Sequence, residues 1–145
     1  MLSAPKVLVV EDDDSIRRML VLALERELLD VTAAADGDEA LLLTAEREYA
    51  VIILDVMMPR LNGIDFLQAF HAERPGSRTV IFVATAFGDE LFGQIDARHA
   101  HAIVRKPFDV LQLAVTVREV ATAWDSAGQN PPPVADPIRR LDSIC

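Results

Sequence analysis

The chain is predicted to fold as a doubly wound α/β domain: a five-stranded parallel sheet with helices on both faces, (βα)5. Three observations lead there. Short apolar runs alternate five times with longer amphipathic stretches, which implies right-handed crossovers between parallel strands. The run Val51-Ile-Ile-Leu54 is apolar throughout, as expected of a strand covered on both faces. Turn residues such as Asp36-Gly37 and Arg74-Pro75-Gly76 fall between the segments.

Taken in order, Lys6 to Val10 is a short β-branched strand, and Asp14 to Leu28 follows as a helix with Asp13 or Asp14 as its N-cap. Val31 to Ala35 is a weak second strand, joined by the Asp36-Gly37 turn to a helix over Asp38 to Glu48. Val51 to Leu54 is the third strand, and Ile64 to Ala72 a helix that stops before Pro75. Thr79 to Ala84 is the fourth strand, followed by a marginal helix over Asp89 to Arg98. Ala102 to Val104 is a short fifth strand and Val110 to Trp124 the last helix. On that helix Val110, Leu113, Ala114, Val117, Val120, Ala121 and Trp124 share one face. That face should pack on the sheet, leaving Leu111 and Val115 outside it.

A length of 145 residues suits one domain, and a 51% hydrophobic share is enough for a core. The division expected is a domain over 1–125 and a Pro-rich flexible tail over 126–145, which contains Pro131-Pro-Pro133. The net charge of −9 argues against direct nucleic-acid binding, which needs cations against phosphates. Cys145 is the only cysteine, so no intrachain disulfide can form, and the chain fits a reducing cytoplasm. No apolar run approaches the length of a membrane span, and no fixed-period repeat is present.

Against this scaffold the strand ends stand out. The first strand ends in Glu11-Asp12-Asp13, the third in Asp55, the fourth in Thr85 and the fifth in Lys106-Pro107. Parallel strands bring their carboxyl ends to one edge, so these distant groups should meet. Clustered carboxylates repel, and one would protonate unless a cation intervened. Hard oxygen ligands open to water favour Mg2+. His71, His99 and His101 lack ligand spacing and read as surface or partly buried residues, and Met57 and Met58 as packing.

With these pieces together, residues 6 to about 124 resemble the receiver domain of two-component response regulators, of the stand-alone, chemotaxis-regulator-like kind. The matching segments are Val7-Leu-Val-Val-Glu-Asp-Asp13, Ala35-Asp-Gly37, Leu54-Asp-Val-Met-Met-Pro59 with Gly63, Thr85-Ala86 and Lys106-Pro-Phe108. The resemblance implies a flavodoxin-like fold and a role for each position. Asp55 would take a phosphoryl group, and Asp12, Asp55 and the Met57 carbonyl would bind Mg2+, with Glu11 helping through a water. Thr85 would hydrogen-bond the phosphoryl oxygens, and Lys106 would pair with the Asp55 carboxylate and then the phosphate. The Lys106-Pro107 bond would be cis. The donor would be a sensor histidine kinase, a histidine phosphotransfer protein or a small acyl phosphate. Catalysis would extend only to the domain's own phosphorylation and dephosphorylation.

The sequence also departs from the family pattern. Ile103 stands where a rotating aromatic is usual, which puts coupling by ring rotation in doubt. Met57 and Phe87, both apolar, flank the site and imply a slowly resetting phosphoform. Gly88 and Gly93 weaken the fourth helix, so phosphorylation should shift that helix and the fifth strand and alter a homodimer or downstream-partner surface of Leu91, Phe92, Ile103, Leu111 and Val115. Two other function classes share parts of this pattern. An aspartate-nucleophile phosphatase would use Asp12 and Asp14, and a flavin or nucleotide binder would need a first loop without the acids. A degenerate receiver would lack the complete residue set. The chain fits either a stand-alone receiver or a receiver cut from a longer regulator or hybrid kinase.

Overall fold

The computed structural model describes residues 4–55, 63–85, 100–126 and 139–140. Its elements are β1 (Lys6–Val10), α1 (Asp14–Arg26), β2 (Asp30–Ala34), α2 (Gly37–Glu46), β3 (Val51–Asp55), α3 (Gly63–Glu73), β4 (Val80–Thr85), β5 (Ala102–Arg105), α4 (Val110–Ser126) and β6 (Arg139–Arg140). The helix expected over 89–98 lies outside the described residues. The sheet runs β2-β1-β3-β4-β5-β6, with every pairing parallel. The first five strands are those expected. The sixth, a two-residue strand from the segment read as a tail, places Arg139 opposite Ala102 and Arg140 opposite Ile103.

Strand periodicity divides the core in two. Val7, Val9, Val51 and Ile53 point to one face, where α1 contributes Leu20 and Leu24 and α4 contributes Leu113, Val117 and Trp124. Leu8, Val10, Ile52 and Leu54 point to the other, against Ala40 of α2 and Phe66 and Phe70 of α3. With helices on both sides, all five residues of β3 are buried. The α4 face predicted from spacing is the one that packs, with Leu113, Ala114, Val117, Ala121 and Trp124 buried and Val110 and Val120 partly so.

Three helix boundaries are set by caps. Asp13 accepts the Ile16 amide at the start of α1. The helix ends two residues earlier than expected, because Leu28 adopts φ 63° while its amide bonds Glu25 O and the Leu29 amide bonds Leu24 O. This is a Schellman ending, with Leu in the left-handed position usually given to Gly. The expected Asp36-Gly37 turn is instead a cap and first helical residue: Asp36 accepts the Glu39 amide, and the Glu39 carboxylate reaches back to the Ala35 amide.

Below β5 a side chain continues the ladder. His101 Nδ1 accepts the Ile81 amide at 3.0 Å, and the His101 amide donates to Ile81 O at 2.9 Å. Burial first, and then the charge of His71, lower the His101 pKa from its ordinary value. The folded state thus holds this imidazole neutral where the unfolded chain would bind a proton. Its contribution is complete above the ordinary value of 6.5 and is lost as pH falls from there toward the lower folded value. Denaturant midpoints measured from pH 7.5 to 5 should therefore decline less steeply in His101→Asn, whose side-chain oxygen still accepts the Ile81 amide.

Candidate functional site

Asp55 is the last residue of β3 and only 4% exposed. β3 lies between β1 and β4, at the point where successive connections turn to opposite sides of the sheet, the usual ligand position in such sheets. The chain leaving β1 brings Glu11, 2% exposed, beside it, and Asp12 onto the exposed rim. One carboxylate oxygen from each of Glu11, Asp12 and Asp55 lies within 4.8 Å of the others. Beyond β5, Lys106 extends its ammonium into the cluster, 2.9 Å from Glu11 Oε1 and 3.4 Å from Asp55 Oδ2. The Lys106-Pro107 bond is cis, as the resemblance implied. One detail differs from expectation: Lys106 sits closer to Glu11 than to Asp55, since the longer Glu side chain reaches across. The other oxygen, Glu11 Oε2, accepts the Asp13 amide.

The charge balance favours a cation. Burial pushes the Lys106 pKa down, but the hydrogen bond to Glu11 and the charges of Asp55 and Glu11 outweigh it, and the net direction is upward. The ammonium therefore stays charged, yet among the described residues it faces three clustered carboxylates as a single positive charge. Asp12, alone of the three, offers a carboxylate with no partner among the described residues. Opposite ligand oxygens on octahedral Mg2+ stand about 4.2 Å apart. The spread observed needs only a sub-ångström adjustment or a water bridging from Glu11, so the residues fit Mg2+.

Thr85 ends β4 opposite Arg105, one step past the Asp55–Ala84 pair, so its backbone belongs to the same edge. Met57, Phe87, Leu91 and Phe92 lie outside the described residues. Ile103 requires a correction: it is 4% exposed and part of the core. A strand inside this sheet is covered on both faces, so Ile103 cannot serve as a partner surface. Leu111 is 62% exposed and Val115 half-buried. Asp14 does not join the cluster but pairs with Arg17, which removes the second carboxylate of the phosphatase reading. Arg17 went unnoticed in the sequence. It also binds the carbonyl of Glu11, and its signal was a basic residue one turn into a helix that follows three acids.

The family model for the response regulator receiver domain matches residues 7–118. This chain belongs to the response regulator receiver domain family. Among curated relatives, the transcriptional regulatory protein SrrA of Staphylococcus aureus is 33% identical over 137 residues, covering 92% of this chain and 55% of SrrA. The chain thus spans about half the length of the curated relatives it matches. Among solved structures, chemotaxis response regulator CheY4 of Vibrio cholerae is 33% identical with a TM-score of 0.73, covering 80% of this chain and 98% of that one. The response regulator TrrA of Thermotoga maritima, solved in complex with Mg2+-BeF, is 26% identical with a TM-score of 0.69, covering 79% of this chain and 97% of that one. The receiver domain is a module of two-component signalling. Among its described residues no helix is long and apolar enough to cross a membrane.

Proposed function

We propose that this receiver domain accepts a phosphoryl group on Asp55 with Mg2+ and uses it to alter a protein-binding surface. The juxtaposition of buried Asp55 with the Lys106 ammonium and the carboxylates of Glu11 and Asp12 supports this reading. Glu11, Asp12 and Asp55 would hold the metal, which when bound supplies positive charge to offset that of the incoming phosphoryl oxygens.

A carboxylate oxygen of Asp55 attacks the phosphorus of a phosphohistidine in line with the leaving imidazole. The P–N bond breaks, an O–P bond forms, and the imidazole nitrogen keeps the electron pair and takes a proton from solvent. Lys106 stands where it can pair with the new phosphoryl oxygens, at the cost of its contact with Asp55 Oδ2. Thr85, whose backbone ends β4, would donate its hydroxyl to the same group, the role that the resemblance implies. Water then attacks phosphorus, releases phosphate and restores the carboxylate, so the switch resets without further machinery.

The donor is a sensor histidine kinase, a histidine phosphotransfer protein or a small acyl phosphate in the cytoplasm. The output is protein association, with a downstream target or a second copy, at a surface that includes Leu111 and Val115. The acidic chain makes no direct nucleic-acid contact. The same chemistry serves whether the domain works alone or within a longer regulator. Incubation with a labelled small acyl phosphate should give a base-labile protein label with Mg2+ present and at least tenfold less with a chelator in excess, roughly the scale expected when metal charge is removed. Equal labelling without divalent cations would refute the metal's role.

A further inference from the structure

We propose that Arg17 is a positioning residue that sets the Glu11–Asp12 backbone for metal binding; the inference rests on the Mg2+ reading above. Arg17 lies one turn into α1. Its Nη1 donates to Glu11 O at 2.9 Å and, at longer range, to Asp12 O at 3.5 Å. Its Nη2 binds the Asp14 carboxylate. One guanidinium thus joins the carbonyls of two residues that face the metal site to the acid that opens the helix.

What it leaves alone matters equally. Arg17 touches none of the Glu11, Asp12 or Asp55 carboxylates, so its bonds consume no metal ligand. Glu11 is held through every polar group: its amide by Ala34 O, its carbonyl by Arg17, and its carboxylate by Lys106 and the Asp13 amide. Asp12 has less. Its side chain is exposed and no described residue holds its carboxylate, so the position of that carboxylate depends on the backbone that carries it. A loop left free would have to be ordered when the cation binds, at a cost in affinity. The rigid fork of Arg, unlike the single-point ammonium of Lys, can span two carbonyls and a carboxylate at once.

Charge and geometry predict opposite signs. As a nearby positive charge Arg17 repels a cation, so a purely electrostatic role means that its removal tightens Mg2+ binding. As a positioning group its removal weakens it. A residue that only staples α1 changes the melting temperature and leaves Mg2+ affinity alone.

Calorimetric titration with Mg2+ and thermal melts of the full chain separate these roles, using Arg17→Ala and Arg17→Lys, the latter keeping the charge without the fork. Outer-shell groups typically change metal affinity 10–100-fold, and we expect about tenfold weaker binding for Arg17→Ala and about threefold for Arg17→Lys. The maximal rate of labelling by an acyl phosphate should return in both at saturating Mg2+. If Arg17→Ala does not fold, Arg17→Lys alone decides. Wild-type or tighter Mg2+ affinity in the folded variants overturns the proposal. Failure of the wild type to bind Mg2+ overturns the metal reading itself, and the proposal with it.

Discussion

Asp55→Asn is expected to take up no phosphoryl label above background, while melting at or above the wild-type temperature at neutral pH. The first expectation follows from the nucleophile, because a carboxamide has no anionic oxygen to attack phosphorus and is a poor ligand for a hard cation. The second follows from the charge balance. Among the described residues three carboxylates face one ammonium, and neutralising one of them relieves repulsion while Lys106 keeps its 2.9 Å contact with Glu11. The amide is nearly isosteric and its oxygen can still accept from Lys106. A further consequence is measurable in the same melts. A cation that binds only the folded state raises stability by an amount that grows with the logarithm of its concentration. Mg2+ should therefore stabilise the wild type and have much less effect on Asp55→Asn. A variant that unfolds would show instead that Asp55 is held for structural reasons.

Trp124→Ala is expected to be the most damaging single change to the fold, at about 3–5 kcal/mol, the usual cost of deleting a buried aromatic. Trp124 is 8% exposed at the end of α4. Its indole Nε1 donates to Arg78 O at 2.9 Å, and Arg78 Nη1 donates to Trp124 O at 3.2 Å. The guanidinium also lies 3.6 Å from the ring centroid. These contacts tie the far end of α4 to the segment that enters β4, 46 residues away in sequence. Trp124→Phe keeps a six-membered aromatic ring and most of the packing but loses the indole hydrogen bond, so it should cost less, about 1–2 kcal/mol, leaving the Arg78 carbonyl short of a partner. Chemical denaturation of both variants checks the order; equal losses would mean that the indole hydrogen bond alone holds the joint.

Much of this was legible because it rests on periodicity and on one topological rule. The unbroken apolar run of β3 marked a covered strand. Parallel pairing then brought Glu11, Asp12, Asp55 and Lys106 to one edge, although Asp55 and Lys106 are far apart along the chain. Periodicity also found the α4 face and Trp124 as its anchor. What escaped depends on side-chain reach and cap geometry. The α1 terminus was missed because Leu28 takes a conformation that its residue type does not announce. Ile103 was placed on the surface because an apolar residue in a four-residue strand carries no sign of which layers cover it. The closer pairing of Lys106 with Glu11 reflects one methylene, and the hold of Arg17 on Glu11 O joins a side chain to a backbone atom, which residue identity does not encode. The role of His101 as a ladder acceptor was hidden for the same reason.

The acceptor itself can be located directly. After reaction with a small acyl phosphate and Mg2+, borohydride reduces an aspartyl phosphate to homoserine, which peptide mass spectrometry places on the chain. Homoserine is expected at position 55 in the wild type and none without Mg2+. Homoserine at Asp12 or Asp13, or label that resists reduction, would contradict the assignment of Asp55.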